Sequence, residues 1–355
     1  MYTEQIDLKV ISEDQRKHAL DRAGEIIRSG GLVAFPTETV YGLGADGMNA
    51  EACARIYEAK GRPSDNPLIL HIAGMAQVDE IAREISPEAR KVMDTFWPGP
   101  LTVILPKRDC VPDRTTGGLD TVAIRMPSHP DAREFILRSR RIIAAPSANA
   151  SGKPSPTLAR HVYEDMKGSI PMILDGGPVG IGIESTIVDM TGDCPVILRP
   201  GYISREEIAE VTGQVRIDPA IEGRTMNKDV VAKAPGMKYR HYAPKGQMIL
   251  VEGDVSQVVQ KINELAALRQ AEGYRVGIIA TDETLPCYRG DILKSIGSRE
   301  HPETVAAGLY RILREMDASG AEYIYSESFF SEEMGDAIMN RMLKAAGYRV
   351  ITCGR

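Results

Sequence analysis

The chain has 355 residues, of which 43% are hydrophobic and 26% are charged, a composition typical of a folded globular protein of about two domains. Its formal net charge of −6 argues against broad binding to a phosphate backbone, which needs a basic surface. No segment approaches the roughly 18 consecutive apolar residues of a membrane span, and the first residues are polar, so we expect a cytoplasmic protein with no membrane partner.

Apolar strands and helical segments alternate up to about residue 213, which predicts one α/β domain over residues 1–213. Strands that come singly between helices indicate a parallel or mixed sheet, whereas STIVDM and PVILRP, separated by TGDC, predict a hairpin. We therefore expect a twisted mixed sheet. Its predicted strands are LVAF, LILHI, LTVILP, TVAIRM, IIAAP, MILD, STIVDM and PVILRP.

The segment 214–246 lacks sustained periodicity and is rich in turn-forming residues, so we interpret it as a linker. Its length is typical of a functional lid or of disorder, and Tyr239 and Tyr242 favour the lid. Strands and helices then alternate from 247 to 355, which predicts a smaller Rossmann-like, three-layer α/β domain.

The loop after the helix AEACARIYEAK carries two cations in a constrained setting. This helix ends at Gly61 and Pro63, and the chain then enters the strand LILHI. Lys60 and Arg62 lie on the loop, whose fixed shape favours a preorganised anion site. Alternatively, the two cations complement the helix dipole in solvent, and this segment alone leaves both interpretations open.

Two further loops have the composition of ligand-binding segments. APSANASGKPSPT follows a predicted strand and could line a phosphate with its hydroxyls and backbone donors, or could simply be a Pro/Ser turn with a helix cap. DGGPVGIGIESTIVD places glycines ahead of Glu184 and Ser185, for close approach to a ligand or for a tight turn. YGLGADG matches GxGxxG formally, but no strand directly precedes it, which argues against a dinucleotide site.

Charged residues end several predicted strands. Arg125 and Arg199 each end an apolar strand, and a charged residue beside a core is usually paired with an oppositely charged or polar group. In α/β sheets, ligands bind at the ends of strands, so a ligand could be that group. His71 also ends a strand, where a hydrogen-bonded core histidine is the commoner finding. Cations and hydroxyls without an evident nucleophile suit polyphosphate chemistry, in which the protein positions reactants and neutralises charge.

No metal or disulfide site is indicated. The five cysteines are odd in number and never in CxxC spacing, and the histidines show no HxxxH or HExxH pattern. We therefore predict no metal site built from protein ligands.

Eight segments, in order, closely resemble the YrdC-type threonylcarbamoyl-AMP synthases, and the linker and second domain resemble the long, two-domain form of that family. The resemblance covers nearly the whole chain. The segments are FPTETVYGLGADG, KGRPSDNPLILHI, FWPGPLT, TVAIRMPSHP, APSANASGKPSPT, DGGPVGIGIESTIVD, ILRPG and APGMKYRHYAP.

The resemblance implies a YrdC-like catalytic domain that joins L-threonine, bicarbonate or CO2, and ATP into L-threonylcarbamoyl-AMP and pyrophosphate. The product would serve threonylcarbamoyladenosine modification of tRNA beside the anticodon, through a downstream tRNA threonylcarbamoyl-transferase complex. Mg²⁺ would accompany ATP without a dedicated protein cage. The linker would close over the pocket, and we expect no strong direct binding of tRNA.

Carried over by motif position, the resemblance implies two substrate sites that share one pocket. Lys60 and Arg62 would be catalytic. L-threonine would contact Thr37, Thr39, His71, Arg125, Ala145 and Ser185. ATP would contact Lys60, Arg62, Asn66, Thr121, Ser147, Asn149, Ser155, Arg199 and, from the linker, Tyr242.

Two alternatives remain open on the sequence. The YrdC-like fold also occurs in hydrogenase-maturation carbamoyltransferases, but those carry zinc-finger modules and this chain has no CxxC. A non-enzymatic RNA-binding module is the other alternative, against which the acidic balance weighs.

Overall fold

Two β-sheets carry the architecture, which we describe from a computed structural model covering residues 1–222, 234, 242–329 and 334–354. Within these ranges, eleven strands form a mixed sheet in the order β1-β8-β2-β3-β7-β4-β6-β5-β9-β10-β11. These strands are β1 (Glu4–Asp7), β2 (Val33–Phe35), β3 (Gly42–Asp46), β4 (Ile69–His71), β5 (Leu101–Pro106), β6 (Thr121–Arg125), β7 (Ile143–Ala144), β8 (Met172–Asp175), β9 (Thr186–Asp189), β10 (Val196–Arg199) and β11 (Arg216–Ile217).

Helices connect these strands, and several begin at the side-chain caps that their sequences provide. Ser12 and Ser204 each form a capping box, and Asn49 accepts from two backbone amides. The helices are α1 (Glu13–Arg28), α2 (Ala50–Lys60), α3 (Ala76–Ile81), α4 (Pro87–Phe96), α5 (Asp113–Thr116), α6 (Pro130–Ser139), α7 (Ala159–Met166), α8 (Arg205–Thr212) and α9 (Pro219–Glu222).

The first sheet lies between separate hydrophobic cores, because successive strand residues point to opposite faces. Ala34 packs with α2, α4 and α7 in one core, whereas its neighbours Val33 and Phe35 pack with α1 and α6 in another. A third hydrophobic cluster contains Ala234 of the linker together with strand residues that include Ile69.

The second sheet is parallel, with the order β14-β13-β15-β12-β16. Helix α10 packs on one face and α11 and α12 on the other, so this part of the chain has three layers. Its elements are β12 (Gln247–Glu252), α10 (Val255–Ala271), β13 (Val276–Ala280), a 3-10 turn (Leu285–Cys287), β14 (Ile292–Ser295), α11 (Pro302–Ala318), β15 (Tyr323–Glu327), α12 (Gly335–Ala345) and β16 (Val350–Thr352).

The predicted fold class is confirmed, both for the twisted mixed sheet and for the smaller parallel α/β unit. The predicted hairpin is confirmed as well, since β9 and β10 pair antiparallel. The first sheet continues to Ile217, past the predicted boundary at 213, while β12 begins at Gln247, where the second domain was expected. The domain boundaries otherwise stay a prediction.

The sequence prediction missed β3, whose residues GLGAD were considered only as a glycine motif. Both faces of β3 are buried, and its glycines fit crowded positions, since a Cβ at Gly42 would lie 3.1 Å from the Phe35 ring and one at Gly44 2.9 Å from the Ile143 side chain. The short strands β1, β11, β14 and β16 were also not predicted. In the described part of the chain, no helix is long and apolar enough to cross a membrane.

The two parts of the chain are in direct contact through a shared hydrophobic cluster. Val40, Ile183 and Tyr242 belong to the same hydrophobic cluster as α11 and α12. Gly182 adopts φ +86°, and a Cβ there would lie 2.4 Å from Cα of Ala307 in α11. The loop that contains Gly182 therefore touches helix backbone directly, which only glycine permits.

We expect Gly182→Ala to lower the free energy of unfolding by about 2 kcal/mol, because the methyl group meets helix backbone and the left-handed φ is strained. The measurement is the thermal unfolding midpoint. Gly180→Ala is the matched control, since a Cβ at Gly180 meets nothing within 4 Å. Equal midpoints for the two variants would contradict the close contact between the loop and α11.

Candidate active site

A pocket opens at the carboxyl ends of β4 and β6, two neighbouring strands in the middle of the first sheet. These strands are parallel, and their last residues, His71 and Arg125, are in register. The pocket has an empty volume of about 630 Å³, part of it open to solvent. Its lining residues are Thr37, Val40, Gly42, Arg62, Ile69, His71, Arg125, Ala145, Pro146, Ser147, Asn149, Ser155, Glu184, Ser185, Arg199 and Tyr242.

Most of the side chains predicted for the two substrate sites meet in this one pocket, although they come from seven segments of the sequence. The predicted residues that line it are Thr37, Arg62, His71, Arg125, Ala145, Ser147, Asn149, Ser155, Ser185, Arg199 and Tyr242. Which of them contacts L-threonine and which contacts ATP stays a prediction. The predicted lid largely falls on residues 223–233 and 235–241, which lie outside the described residues.

Four predicted residues do not line the pocket. Thr121 begins β6 and lies four positions before Arg125, or about 13 Å along the strand. Asn66 is fully buried, and within the described residues neither its amide nitrogen nor its amide oxygen has a hydrogen-bond partner. The other two, Thr39 and Lys60, lie directly behind lining residues and contact them.

Arg125 is held by one polar and one acidic neighbour, both from the PTET segment. Its Nη1 donates to Oγ1 of Thr39 at 2.9 Å, and its Nη2 lies 2.7 Å from Oε1 of Glu38. Burial opposes ionisation of Glu38, but the charge of Arg125 keeps the pKa of this carboxyl below its ordinary value. Nε of Arg125 is buried and has no hydrogen-bond partner among the described residues. A carboxylate could accept from it.

Sequence analysis did not select Glu38, although it lies between the two threonines that were selected. An acidic residue next to a binding motif was the available signal. Its position could not be inferred, because the contact with Arg125 joins residues that are 87 positions apart in the sequence.

His71 is a neutral, buried side chain. Burial and the neighbouring charge of Arg125 lower its pKa to about 3, so it is uncharged near neutral pH. Its Nδ1 lies 3.1 Å from the carbonyl oxygen of Ile69, which fits an Nδ1–H donor. The ring meets Phe35 edge to face. His71 is therefore both a core residue and a wall of the pocket.

Lys60 shapes the pocket from behind. Its Nζ donates to the carbonyl oxygens of Ser147 and Asn149. Burial, followed by the nearby charge of Arg62, lowers the pKa of Lys60 well below its ordinary value, while the carbonyl acceptors favour the ammonium form. Ser147 in turn donates to Oδ1 of Asn149 at 2.6 Å. The lysine fixes the backbone at 147–149, and the side chains on this backbone face the pocket.

Arg199 and Ser185 together form another wall of the pocket. Its Nε donates to the carbonyl oxygen of Ser185, and its Nη2 donates to the Ser185 hydroxyl, both at 3.0 Å. Thr102 lies 2.8 Å from the same hydroxyl. Burial lowers the pKa of Arg199 to about 10, so this guanidinium remains charged near neutral pH. Ser185 is thereby held in one orientation.

Glu184 connects this wall to the second sheet and its helices. Oε1 accepts from the Ser155 hydroxyl at 2.6 Å, and Oε2 accepts from the Tyr310 hydroxyl at 2.7 Å and from Nε of Arg341 at 3.2 Å. Burial opposes ionisation, but the charges of Arg341 and Arg199 and these hydrogen bonds lower the pKa of Glu184 to about 2. It is an ionised, buried carboxylate.

Tyr310 and Arg341 were not candidates on the sequence, and no signal in the first domain points to them. They lie more than 100 residues after Glu184, on α11 and α12. In the described ranges, no group of three or more His, Cys, Asp or Glu could hold a metal ion.

Comparison with known proteins identifies the family. A model of the Sua5, YciO and YrdC proteins, described as "Telomere recombination", matches residues 25–201, and a model of the C-terminal domain of threonylcarbamoyl-AMP synthase matches 203–347. A threonylcarbamoyl-AMP synthase of Pyrococcus abyssi is 51% identical over 93% of this chain and 94% of its own length. The chain belongs to the threonylcarbamoyl-AMP synthase family. The suspected resemblance is thus confirmed.

Further relatives agree over the same extent. A threonylcarbamoyl-AMP synthase of Bacillus subtilis is 49% identical over 93% of both chains. The crystal structure of P. abyssi Sua5 complexed with L-threonine matches with a TM-score of 0.92 at 48% identity and covers 100% of both chains. These synthases are enzymes and share the two-part architecture, which agrees with the predicted long form of the family.

We expect Glu184→Gln to reduce the stability of this synthase-family protein at pH 7 and to do so less at low pH. The folded pKa of about 2 lies below the ordinary 4.5, so the stabilisation is complete above about pH 4.5 and is lost as the pH falls towards 2. Its size is on the order of 3 kcal/mol.

Denaturant unfolding at pH 7 and at about pH 3 measures this difference. More than half of the stability gap between Glu184→Gln and the unsubstituted protein should disappear at the lower pH. The exposed Glu206→Gln is the control and should show no such gap. A gap that persists unchanged at low pH would contradict the ionised state of Glu184.

Proposed function

We propose that this protein makes L-threonylcarbamoyl-AMP from L-threonine, bicarbonate or CO2, and ATP, with release of pyrophosphate. The observation that carries the proposal is that three arginines, Arg62, Arg125 and Arg199, line one pocket, in which Arg125 and Arg199 are buried. Such a pocket can hold a small carboxylate beside a polyphosphate. Relatives named threonylcarbamoyl-AMP synthase support the same activity.

L-threonine would lie against the ends of β4 and β6. Its carboxylate would accept hydrogen bonds from Arg125, whose Nε has no hydrogen-bond partner among the described residues. Thr37, His71 and Ser185, with the backbone at Ala145, would surround the rest of the molecule. The complex of P. abyssi Sua5 with L-threonine supports a threonine site in this fold.

ATP would occupy the side of the pocket that is lined by Arg62, Arg199 and the segment held by Lys60. Two guanidinium groups can offset the charge of the triphosphate. Ser147, Asn149 and Ser155 offer polar contacts, and Tyr242 covers the pocket from the linker. The Tyr242 ring packs on Tyr310 with 5.0 Å between ring centroids, so it would exclude water from this side.

The reaction has two steps, the first at the carbon of CO2 and the second at the α-phosphorus of ATP. The threonine amine attacks the carbon of CO2 and loses a proton, which gives a carbamate. A carbamate oxygen then attacks the α-phosphorus of ATP, the bond from this phosphorus to the bridging oxygen breaks, and pyrophosphate leaves. The protein contributes by positioning the carbamate in line and by stabilising the negative charge of the phosphates.

Mg²⁺ is expected to enter with ATP, where it supplies charge neutralisation at the phosphate oxygens. The residues fit this mode because Glu184, the carboxylate in the lining, already accepts from Ser155, Tyr310 and Arg341. We therefore propose that phosphate oxygens and water, and no protein cage, hold the ion.

We propose that the product is used for threonylcarbamoyladenosine modification of tRNA beside the anticodon. A downstream tRNA threonylcarbamoyl-transferase complex in the cytoplasm would bind the tRNA. The formal charge of −6 is consistent with a protein that does not itself bind tRNA strongly.

The test of the activity is pyrophosphate release by the purified protein. Release should require L-threonine, bicarbonate and ATP together, and omission of any one should reduce it to background. Mass spectrometry should detect the threonylcarbamoyl adenylate. Pyrophosphate release that is as fast without L-threonine would contradict the proposal.

We expect Arg62→Ala to reduce the rate of pyrophosphate release about 100-fold, because it removes a charge that stabilises the phosphates in the transition state. Steady-state kinetics at saturating L-threonine measure the effect. Arg114→Ala is the matched control, since Arg114 lies beside Arg62 in a neighbouring surface pocket but does not line the active-site pocket. Near-normal turnover by Arg62→Ala would contradict the placement of Arg62 at the phosphates.

A further inference from the structure

The strongest unexplained feature is a buried polar network that joins the pocket to the second domain. Tyr310 of α11 and Arg341 of α12 are both fully buried, and both donate to Glu184, a lining residue of the pocket. Neither side chain lines the pocket itself. Burying an arginine, a tyrosine hydroxyl and a carboxylate is costly unless their hydrogen bonds are satisfied.

Arg341 contacts the first domain at several points. Its Nε donates to Oε2 of Glu184 at 3.2 Å, its Nη2 donates to the Glu184 carbonyl oxygen at 3.3 Å, and its Nη1 donates to the carbonyl oxygen of Pro200. Pro200 directly follows Arg199, and Glu184 directly precedes Ser185. One guanidinium therefore holds the two backbone segments that carry the Arg199 and Ser185 side chains.

Tyr310 is connected to Ser155, another lining residue, through the carboxylate of Glu184. Glu184 is ionised and has no proton to donate, so the hydroxyl hydrogens of Tyr310 and Ser155 both point to it. A serine hydroxyl has a single hydrogen. With that hydrogen directed to Glu184, Ser155 presents only its acceptor electron pairs to a bound ligand. It can thus accept from a hydroxyl or amino group of the nucleotide.

We propose that Tyr310 and Arg341 are positioning residues of the active site, which act through Glu184 to orient Ser155 and the Ser185–Arg199 wall for the nucleotide. This inference rests on the proposed function. It gives the second domain a defined role, because two of its helices donate hydrogen bonds to a lining residue of the pocket.

Tyr310→Phe tests the proposal with little risk to folding, because it removes one hydroxyl and keeps the buried ring. Its matched control is Tyr288→Phe. The Tyr288 hydroxyl also donates at 2.7 Å to a buried carboxylate, that of Glu327, but the pair lies wholly within the second domain and outside the pocket. The two variants therefore remove the same kind of hydrogen bond.

Calorimetric titration of ATP into the full-length protein is the first measurement. We expect Tyr310→Phe to weaken ATP binding about tenfold, the size expected for a hydrogen bond to a charged group. Binding of L-threonine should change less than twofold, and Tyr288→Phe should change neither affinity. A purely structural role would lower stability in both variants without separating the two substrates.

A double variant tests the route through Glu184. If Tyr310 acts by orienting Ser155, Tyr310→Phe should cost little further ATP affinity once Ser155→Ala is present. Additive losses would contradict this route. Unchanged ATP affinity in Tyr310→Phe, with threonine-dependent pyrophosphate release intact in the unsubstituted protein, would overturn the inference alone. Absence of that release from the unsubstituted protein would instead overturn the proposed function.

Discussion

The ionised carboxylate of Glu184 is the interaction on which the rest of the site depends. It is buried between the two parts of the chain and accepts hydrogen bonds from Ser155, Tyr310 and Arg341. Removing the charged partner of such a buried ion pair, here Arg341, typically costs about 3–5 kcal/mol, because an uncompensated charge stays buried. The two domains are therefore coupled to each other and to the pocket at the same point. Close packing at Gly182 keeps the helices within reach of that carboxylate.

The pocket also depends on the pairing of strands. β4 and β6 are parallel neighbours, so His71 and Arg125 lie side by side at the carboxyl ends of these strands, although they are 54 positions apart in the sequence. Arg125 is then close enough to Thr39 and Glu38 to be held by the loop after β2. Behind the pocket, Lys60 fixes the backbone at 147–149. Much of the site is thus shaped by residues that do not line it.

Sequence reasoning recovered most of the fold because its strands are apolar and bounded by turn residues. It missed β3 because glycine disfavours strands, and the close approach of Phe35 and Ile143, which favours glycine there, is visible only in the tertiary structure. Among the site residues, Lys60 stays a predicted catalytic residue, and the structure adds that its ammonium donates to the backbone of Ser147 and Asn149. Charge and composition predict that a residue is needed, but they do not give its direction.

The sequence by itself determined the α/β class, the two-part organisation, the family and most of the side chains that line the pocket. Short motifs carry this information because each combines turn-forming residues with a charged or hydroxylated side chain at a strand end. Only the tertiary structure decided which groups share one carboxylate. Tyr310 and Arg341 reach Glu184 through the docking of two helices, and a contact between segments more than 100 residues apart has no local pattern from which it can be inferred.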